Sequence, residues 1–259
     1  MIRLENVSYD MPRGAVHGLS FHLAAGETAV IHGPHGSGKT TFAEVCVGTL
    51  PIESGAAYLL GKKLEFMPHQ YREELVREIG IVSRHATLMD NQTIAGNVGL
   101  PVSYHLGLEA EEVRQRVFPV LEQFGIRDLA GKFPHEITDT EAKLAMMARA
   151  AVFGPRLLVM DEPTGGDLDP GGFIRIMDAI NALRQGRTVL ITTSSPSLAT
   201  LKGASVYYLI EGNLFRHGKE YPAASRAAED FFRQIRNYTE RQYREIGDFY
   251  RGTIQGGGL

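Results

Sequence analysis

The stretch that most constrains this chain is "TAVIHGPHGSGKTTF", residues 28–42. A short apolar run ends in glycine, a glycine-rich loop follows, and a helical segment begins at Lys39. Gly33 to Thr40 fit the spacing G-x-x-x-x-G-K-[ST]. Glycines let successive backbone N–H groups converge on an anion without side-chain interference. The helix that follows adds the partial positive charge of its N-terminus. The pattern therefore predicts a strand–loop–helix unit of a parallel α/β sheet whose loop cradles nucleotide phosphates. The residues expected to hold phosphate are Gly33, Pro34, His35, Gly36, Ser37, Gly38, Lys39, Thr40 and Thr41. Lys39 would reach the β- and γ-phosphates, and the Thr40 hydroxyl would ligate Mg²⁺.

A second apolar run, "RLLVMDEPT" at residues 156–164, supplies acidic residues of the kind such a site needs. Ligands in open α/β folds bind at the carboxyl edge of the strands, where this run ends. Asp161 is expected to hold Mg²⁺, directly or through water. Glu162 is the candidate catalytic base that polarises an attacking water.

The rest of the chain reads as strands alternating with helices. "IRLENV" and "GLSFHL" alternate apolar and polar residues, as half-buried strands do. "AAYLLG", "EIGIVS", "TVLITT" and "VYYLIEG" are further expected strands. A helical block is expected over about 84–150, and another helix at "GGFIRIMDAINALR". This order predicts a mostly parallel sheet covered on both faces. Past the core, Phe231, Ile235, Tyr238, Ile246 and Phe249 fall near one helical face. That extension packs either on its own domain or on a second subunit.

Composition narrows the class. The net charge of −3 gives no basic face for nucleic acid. No apolar run reaches the length of a membrane span. "MIRLENVSYD" is expected not to be a secretory leader. The single cysteine, Cys46, excludes an internal disulfide and reads as a small buried residue.

The P-loop, the helical block, "DEPT", "GGDLDP" and "TVLITTSS" occur in an order that resembles the ATP-binding subunits of ABC transporters. The resemblance spans roughly residues 1–218, with "LENVSY" and "NQTIAGNV" also fitting. It implies a P-loop NTPase core with a parallel sheet, an N-terminal antiparallel β subdomain and an inserted helical subdomain, followed by a C-terminal helical extension over 219–259. It further implies ATP and Mg²⁺ as cofactors, integral-membrane permease subunits as partners, and a homodimer or heterodimer with another ATP-binding subunit. The place implied is the cytoplasmic face of the bacterial inner membrane. Within the helical region, "NVGLPVSYHLGLEAEEV" is similar to the bacterial ATPases of MCE-associated lipid transport, and less closely to lipoprotein-release and cell-division relatives.

Several family positions differ here. Arg149 matches the helix after the family's Leu-Ser-Gly-Gly-Gln/Glu signature, but the signature itself reads Ile137-Thr138-Asp139-Thr140-Glu141. Thr138 and Glu141 form a capping box, so the helix is still expected to start there. Asp139 would face the γ-phosphate of the opposite subunit's ATP. Two like charges about 4 Å apart repel by roughly 4 kcal/mol at an effective dielectric near 20. Arg84 stands where a glutamine is expected, and reads as a surface or permease-facing arginine; it cannot accept a hydrogen bond from water. Thr193-Ser194-Ser195 replaces the Thr-His-Asp switch, with Ser195 placed to cap a helix before Pro196. "TGGDLDP" is one residue longer than usual, which puts the reach of Asp169 in question. Met11 stands where an aromatic stacks on adenine, leaving open whether Tyr9 takes that role.

These departures spare the residues that hold Mg-ATP within one subunit and remove those that trigger hydrolysis across a dimer. The expected function is an ATP-binding subunit of a bacterial ABC transport complex with impaired hydrolysis, lipid being one candidate cargo. The alternative is a non-hydrolysing, structural or regulatory ATP-binding subunit of a membrane complex.

Overall fold

The computed structural model describes residues 1–11, 14–64, 74–75, 77–84, 87–166, 168–217, 230–231 and 233. Two sheets organise them. Strands β1 (Ile2–Met11), β2 (Gly14–Leu23), β4 (Ser54–Leu59) and β5 (Lys62–Lys63) form an antiparallel sheet in the order β2-β1-β4-β5. A six-stranded sheet has the order β10-β9-β3-β8-β7-β6, from β3 (Thr28–His32), β6 (Ile79–Val82), β7 (Leu157–Asp161), β8 (Thr188–Thr193), β9 (Ser205–Ile210) and β10 (Asn213–Arg216). Strands β6, β7, β8, β3 and β9 run parallel, and β10 closes the sheet antiparallel to β9. The sheet is mostly parallel, as the sequence predicts, while the short edge pieces β5 and β10 carry too little pattern to be read beforehand.

Every residue of β3, β7 and β8 is buried. That is why these runs are continuously apolar: a parallel sheet is covered on both faces. Successive side chains feed two separate cores. Ala29, Ile31, Leu157, Val159 and Leu190 point to one, where α1 (Lys39–Val47) and the antiparallel sheet pack through Phe42, Val45, Ile2, Leu4 and Leu23. Val30, Leu158, Met160, Val189 and Ile191 point to the other. Its cover is the helices α2 (Ile94–Leu106), α3 (Ala110–Gln123) and α4 (Asp139–Ala151), inserted between β6 and β7, together with α5 (Pro170–Leu183). Cys46 is fully buried in the first core, and burial pushes its thiol well above the usual range.

The helical block begins at Ile94, later than the expected residue 84, because Thr93 caps α2 by accepting from the Gly96 amide. α4 begins where the capping box predicts. The Thr138 hydroxyl accepts from the Glu141 amide, and the Glu141 carboxylate accepts from the Thr138 amide at 2.8 Å. Of the apolar face expected in the C-terminal extension, Phe231 is described: it is buried against Tyr208 and Ile210 of β9 and lies beside the His32 ring. Ile235, Tyr238, Ile246 and Phe249 lie outside the described residues.

Candidate nucleotide site

β3 delivers the chain into the loop at Gly33, between β8 and β9. The Gly33 amide donates to the Thr193 carbonyl, and a Cβ at Gly33 would lie 2.3 Å from the Leu209 carbonyl oxygen and 2.7 Å from Ser37 Oγ. Only glycine fits this approach. Gly36 and Gly38 take φ of 80° and 93°, the left-handed region that glycine enters without strain. Gly38 is the N-cap of α1 and offers no side-chain cap, so the first amides of α1 stay available for a ligand. Pro34, His35 and Ser37 complete the turn, and Thr41 is buried in the first turn of α1. The Ser37 hydroxyl is buried without a hydrogen-bond partner among the described residues.

Lys39 is buried and holds the loop's own atoms. Its ammonium donates to the carbonyls of Gly33 at 3.0 Å and Pro34 at 2.9 Å, and lies 3.6 Å from Glu162 Oε1. Burial holds its pKa below the usual lysine value; Glu162 and Asp161 oppose that shift, and the nearby charge of Arg84 adds to it.

The two acidic residues end β7. Asp161 accepts from the Thr40 hydroxyl at 2.7 Å on one oxygen and from the Thr192 hydroxyl on the other. It is buried rather than exposed at the strand edge, because β8 registers Thr192 directly opposite it. The sequence reading did not include Thr192; its place depends on which strand lies beside β7. Glu162 adopts a φ of 50°, unusual for a residue with a side chain. Its Oε2 accepts from the Ser194 amide at 3.0 Å and the Thr193 hydroxyl at 3.4 Å. Its Oε1 is buried and lies 3.6 Å from the Lys39 ammonium.

Thr40 and Asp161 could hold a divalent cation. Among the described residues no cluster of three or more His, Cys, Asp and Glu occurs. A cation at this pair would therefore take its other ligands from phosphate and water, which suits Mg²⁺. The Ser37 hydroxyl is buried without a partner among the described residues, and Lys39, Thr40 and Glu162 line one cavity over the glycine loop, so the residues present fit a metal–nucleotide ligand.

The divergent positions are placed as follows. Ser194 lines the cavity beside Glu162, and its backbone amide, not its side chain, makes the contact. Ser195 occupies the N-cap of the short helix α6 (Pro196–Ala199) without a side-chain capping bond. Asp169 caps α5, its carboxylate accepting from the Gly172 amide. Thr140 packs against Gly172 so closely that a Cβ there would lie 2.2 Å from its hydroxyl. Tyr9 is wholly buried and cannot stack on a base. Met11 instead lies over Gly38, at the mouth of the phosphate loop. Arg84 is not turned to a remote surface; it lines the cavity with His35, Lys39 and Glu162. His32, passed over in the sequence, directs Nδ1 to the Thr193 carbonyl at 3.0 Å, and its ring stands 4.9 Å from that of Phe231.

Residues 16–165 match the profile of the family described as "ABC transporter". The cell division ATP-binding protein FtsE of Escherichia coli K12 is 32% identical over 222 residues, covering 84% of this chain and 98% of FtsE. The energy-coupling factor transporter ATP-binding protein EcfA of Methanococcus maripaludis is 30% identical over 224 residues, covering 84% of this chain and 79% of EcfA. Among solved structures, the dimeric bacterial ABC transporter cassette MJ0796 superposes with a TM-score of 0.73 at 25% identity, covering 85% of this chain and 100% of that one. Its post-hydrolysis dimer with ADP and phosphate superposes with the same TM-score, at 24% identity.

Proposed function

Because the chain belongs to the ABC transporter family of ATP-binding proteins, we propose that it is the energising subunit of a membrane transport complex, binding Mg-ATP and hydrolysing it slowly on its own. The observation that carries this reading is the convergence of Thr40, Asp161, Lys39 and Glu162 on one side of a glycine cradle. In that site Gly33 to Thr41 hold the phosphates and Thr40 and Asp161 hold the metal. Glu162, whose Oε1 pairs with Lys39, is the candidate base that takes a proton from water. Mg²⁺, when bound, neutralises phosphate charge and draws electron density from the transferring group.

Slow turnover follows from what surrounds Glu162. Ser194 offers it an amide but no imidazole to reach a terminal phosphate, and Lys39 holds its other oxygen in an ion pair. Asp139 heads α4 where a second subunit's nucleotide would approach in a family dimer, and its charge disfavours that contact. A heterodimer in which the partner supplies its own signature loop relieves this chain's site. A non-hydrolysing, regulatory role is the second reading, and the same Lys39–Glu162 pair favours it.

The permease side is served by a groove of about 500 Å³ between α1 and the helical block, lined by Leu64, Leu75, Ile81, Pro101 and Phe153. No helix among the described residues is long and apolar enough to cross a membrane. In this reading the chain sits at the cytoplasmic face, with integral-membrane subunits seated on this groove. The named relatives FtsE and EcfA are cell-division and transporter ATP-binding proteins, which supports a membrane partner. Lipid is the cargo class proposed, from the similarity of residues 97–113, which form most of α2 and the start of α3.

The test is phosphate release by the complex purified with its membrane partners, comparing wild type with Lys39→Ala and Glu162→Gln. Low turnover lost in both variants supports the reading. Turnover unchanged in both assigns hydrolysis elsewhere and leaves this chain a regulatory ATP site. Ordinary family turnover by the pure chain, lost in Glu162→Gln, refutes the impairment.

A further inference from the structure

Arg84 stands two residues past the end of β6. β6 and β7 run parallel with Val82 opposite Met160. Two residues further along each chain stand Arg84 and Glu162. The cavity over the phosphate loop, about 220 Å³, is lined by Lys39, Thr40, His35, Arg84 and Glu162. A neighbouring cavity of about 310 Å³, reaching the face of α4 at Lys143 and Met147, shares His35, Arg84 and Glu162 with it. Arg84 thus sits where the two spaces meet, beyond the end of the loop that cradles the phosphates. Its charge is felt at Lys39.

A guanidinium at that position has one chemistry. It is a permanent cation with five donors and no acceptor. It cannot orient an attacking water by accepting a hydrogen bond. It can donate two parallel hydrogen bonds to a phosphate. Arg84 is exposed at the cavity mouth, so a ligand meets the group without first breaking a buried network. We propose that Arg84 is a ligand for the terminal phosphate of ATP, acting within its own subunit, and that it makes this site select ATP over ADP before any second subunit engages. The proposal rests on the nucleotide-site reading above. It gives the chain, from within, part of the γ-phosphate contact that Asp139 denies to a facing subunit's nucleotide. Because Arg84 and a bound cation both neutralise the same oxygens, the preference for ATP also survives removal of Mg²⁺.

The experiment is competition of ATP and ADP against a fluorescent nucleotide on the full chain, with Mg²⁺ and with EDTA, for wild type, Arg84→Gln, Arg84→Lys and Lys39→Ala. A charge-assisted contact at an exposed site is worth about tenfold in affinity. Arg84→Gln is expected to weaken ATP by about that factor while ADP moves by less than about twofold. Arg84→Lys is expected to keep part of the ATP preference, and the wild-type preference is expected to persist in EDTA. ATP and ADP weakening in parallel in Arg84→Gln, or neither changing, overturns the proposal while the nucleotide site stands. Wild type binding neither nucleotide, or Lys39→Ala binding both undiminished, overturns the nucleotide-site reading and the proposal with it. A thermal melt of Arg84→Gln matching wild type excludes a fold defect as the cause.

Discussion

The ion pair between Lys39 and Glu162 lets stability report on the site without any nucleotide. The two charges stand 3.6 Å apart with side chains 5% and 6% exposed. At an effective dielectric near 20 their attraction is about 4–5 kcal/mol, against a desolvation cost of several kcal/mol for each ion. The depressed pKa of Lys39 shows which contribution dominates at the lysine: burial outweighs the pairing. Removing the lysine alone is therefore far worse than removing both charges. Lys39→Met leaves the Glu162 carboxylate with donors on Oε2 only, and is expected to cost about 3 kcal/mol. Glu162→Gln leaves Lys39 bonded to two loop carbonyls and is expected to cost about 1 kcal/mol. The double variant is expected to lie within about 1 kcal/mol of wild type, a coupling of roughly 3 kcal/mol. The assay is urea unfolding of the nucleotide-free chain at neutral pH. Additivity of the two single changes within about 0.5 kcal/mol would refute the reasoning. The pH dependence gives a second check. A folded pKa below the usual 10.5 means the unfolded chain binds more protons in the window beneath that value, so stability rises with pH there. Lys39→Met should remove that rise.

Three further outcomes follow from local geometry. Gly33→Ala places a Cβ 2.3 Å from the Leu209 carbonyl, so the loop must move away from β9; it is expected to cost about 1–3 kcal/mol and abolish nucleotide binding, read by calorimetry. Gly172→Ala forces the Thr140 hydroxyl out of its place, at about 1 kcal/mol, and Thr140→Gly in the same chain is expected to restore the loss, read from paired melting curves. The Glu141 pKa is lowered, first by the Thr138 amide it accepts from. That contribution is present above the usual value of 4.5 and is lost as pH falls through the folded value. Glu141→Gln should flatten the acid side of the stability profile, and an unchanged profile would show that the capping box carries no such charge effect.

The parts of the site legible in the sequence are those made by neighbours along the chain. The glycine spacing from Gly33 to Gly38, the lysine that follows and the Thr138–Glu141 box are set by turn and helix geometry within a few residues. The apolar runs of β3, β7 and β8 announce a sheet covered on both faces. The sequence alone also places Asp161 and Glu162 at a strand end, because an apolar run that stops at two acids must stop at an edge.

What tertiary structure decided lies between strands. The alternation of residues tells which face a side chain takes, and says nothing of which strand lies beside it. Thr192 reaches Asp161 only because β7 lies beside β8 in a particular register, and Arg84 shares a cavity wall with Glu162 only because β6 lies on the other side of β7. Tyr9 and Met11 follow the same logic. They sit two positions apart on β1, yet Tyr9 is sealed in the core between the sheets while Met11 lies over Gly38. The loop chemistry is local and was written in the sequence. The charges around it were brought together by pairing across tens to more than a hundred residues of intervening chain, a choice of neighbours that no local spacing encodes.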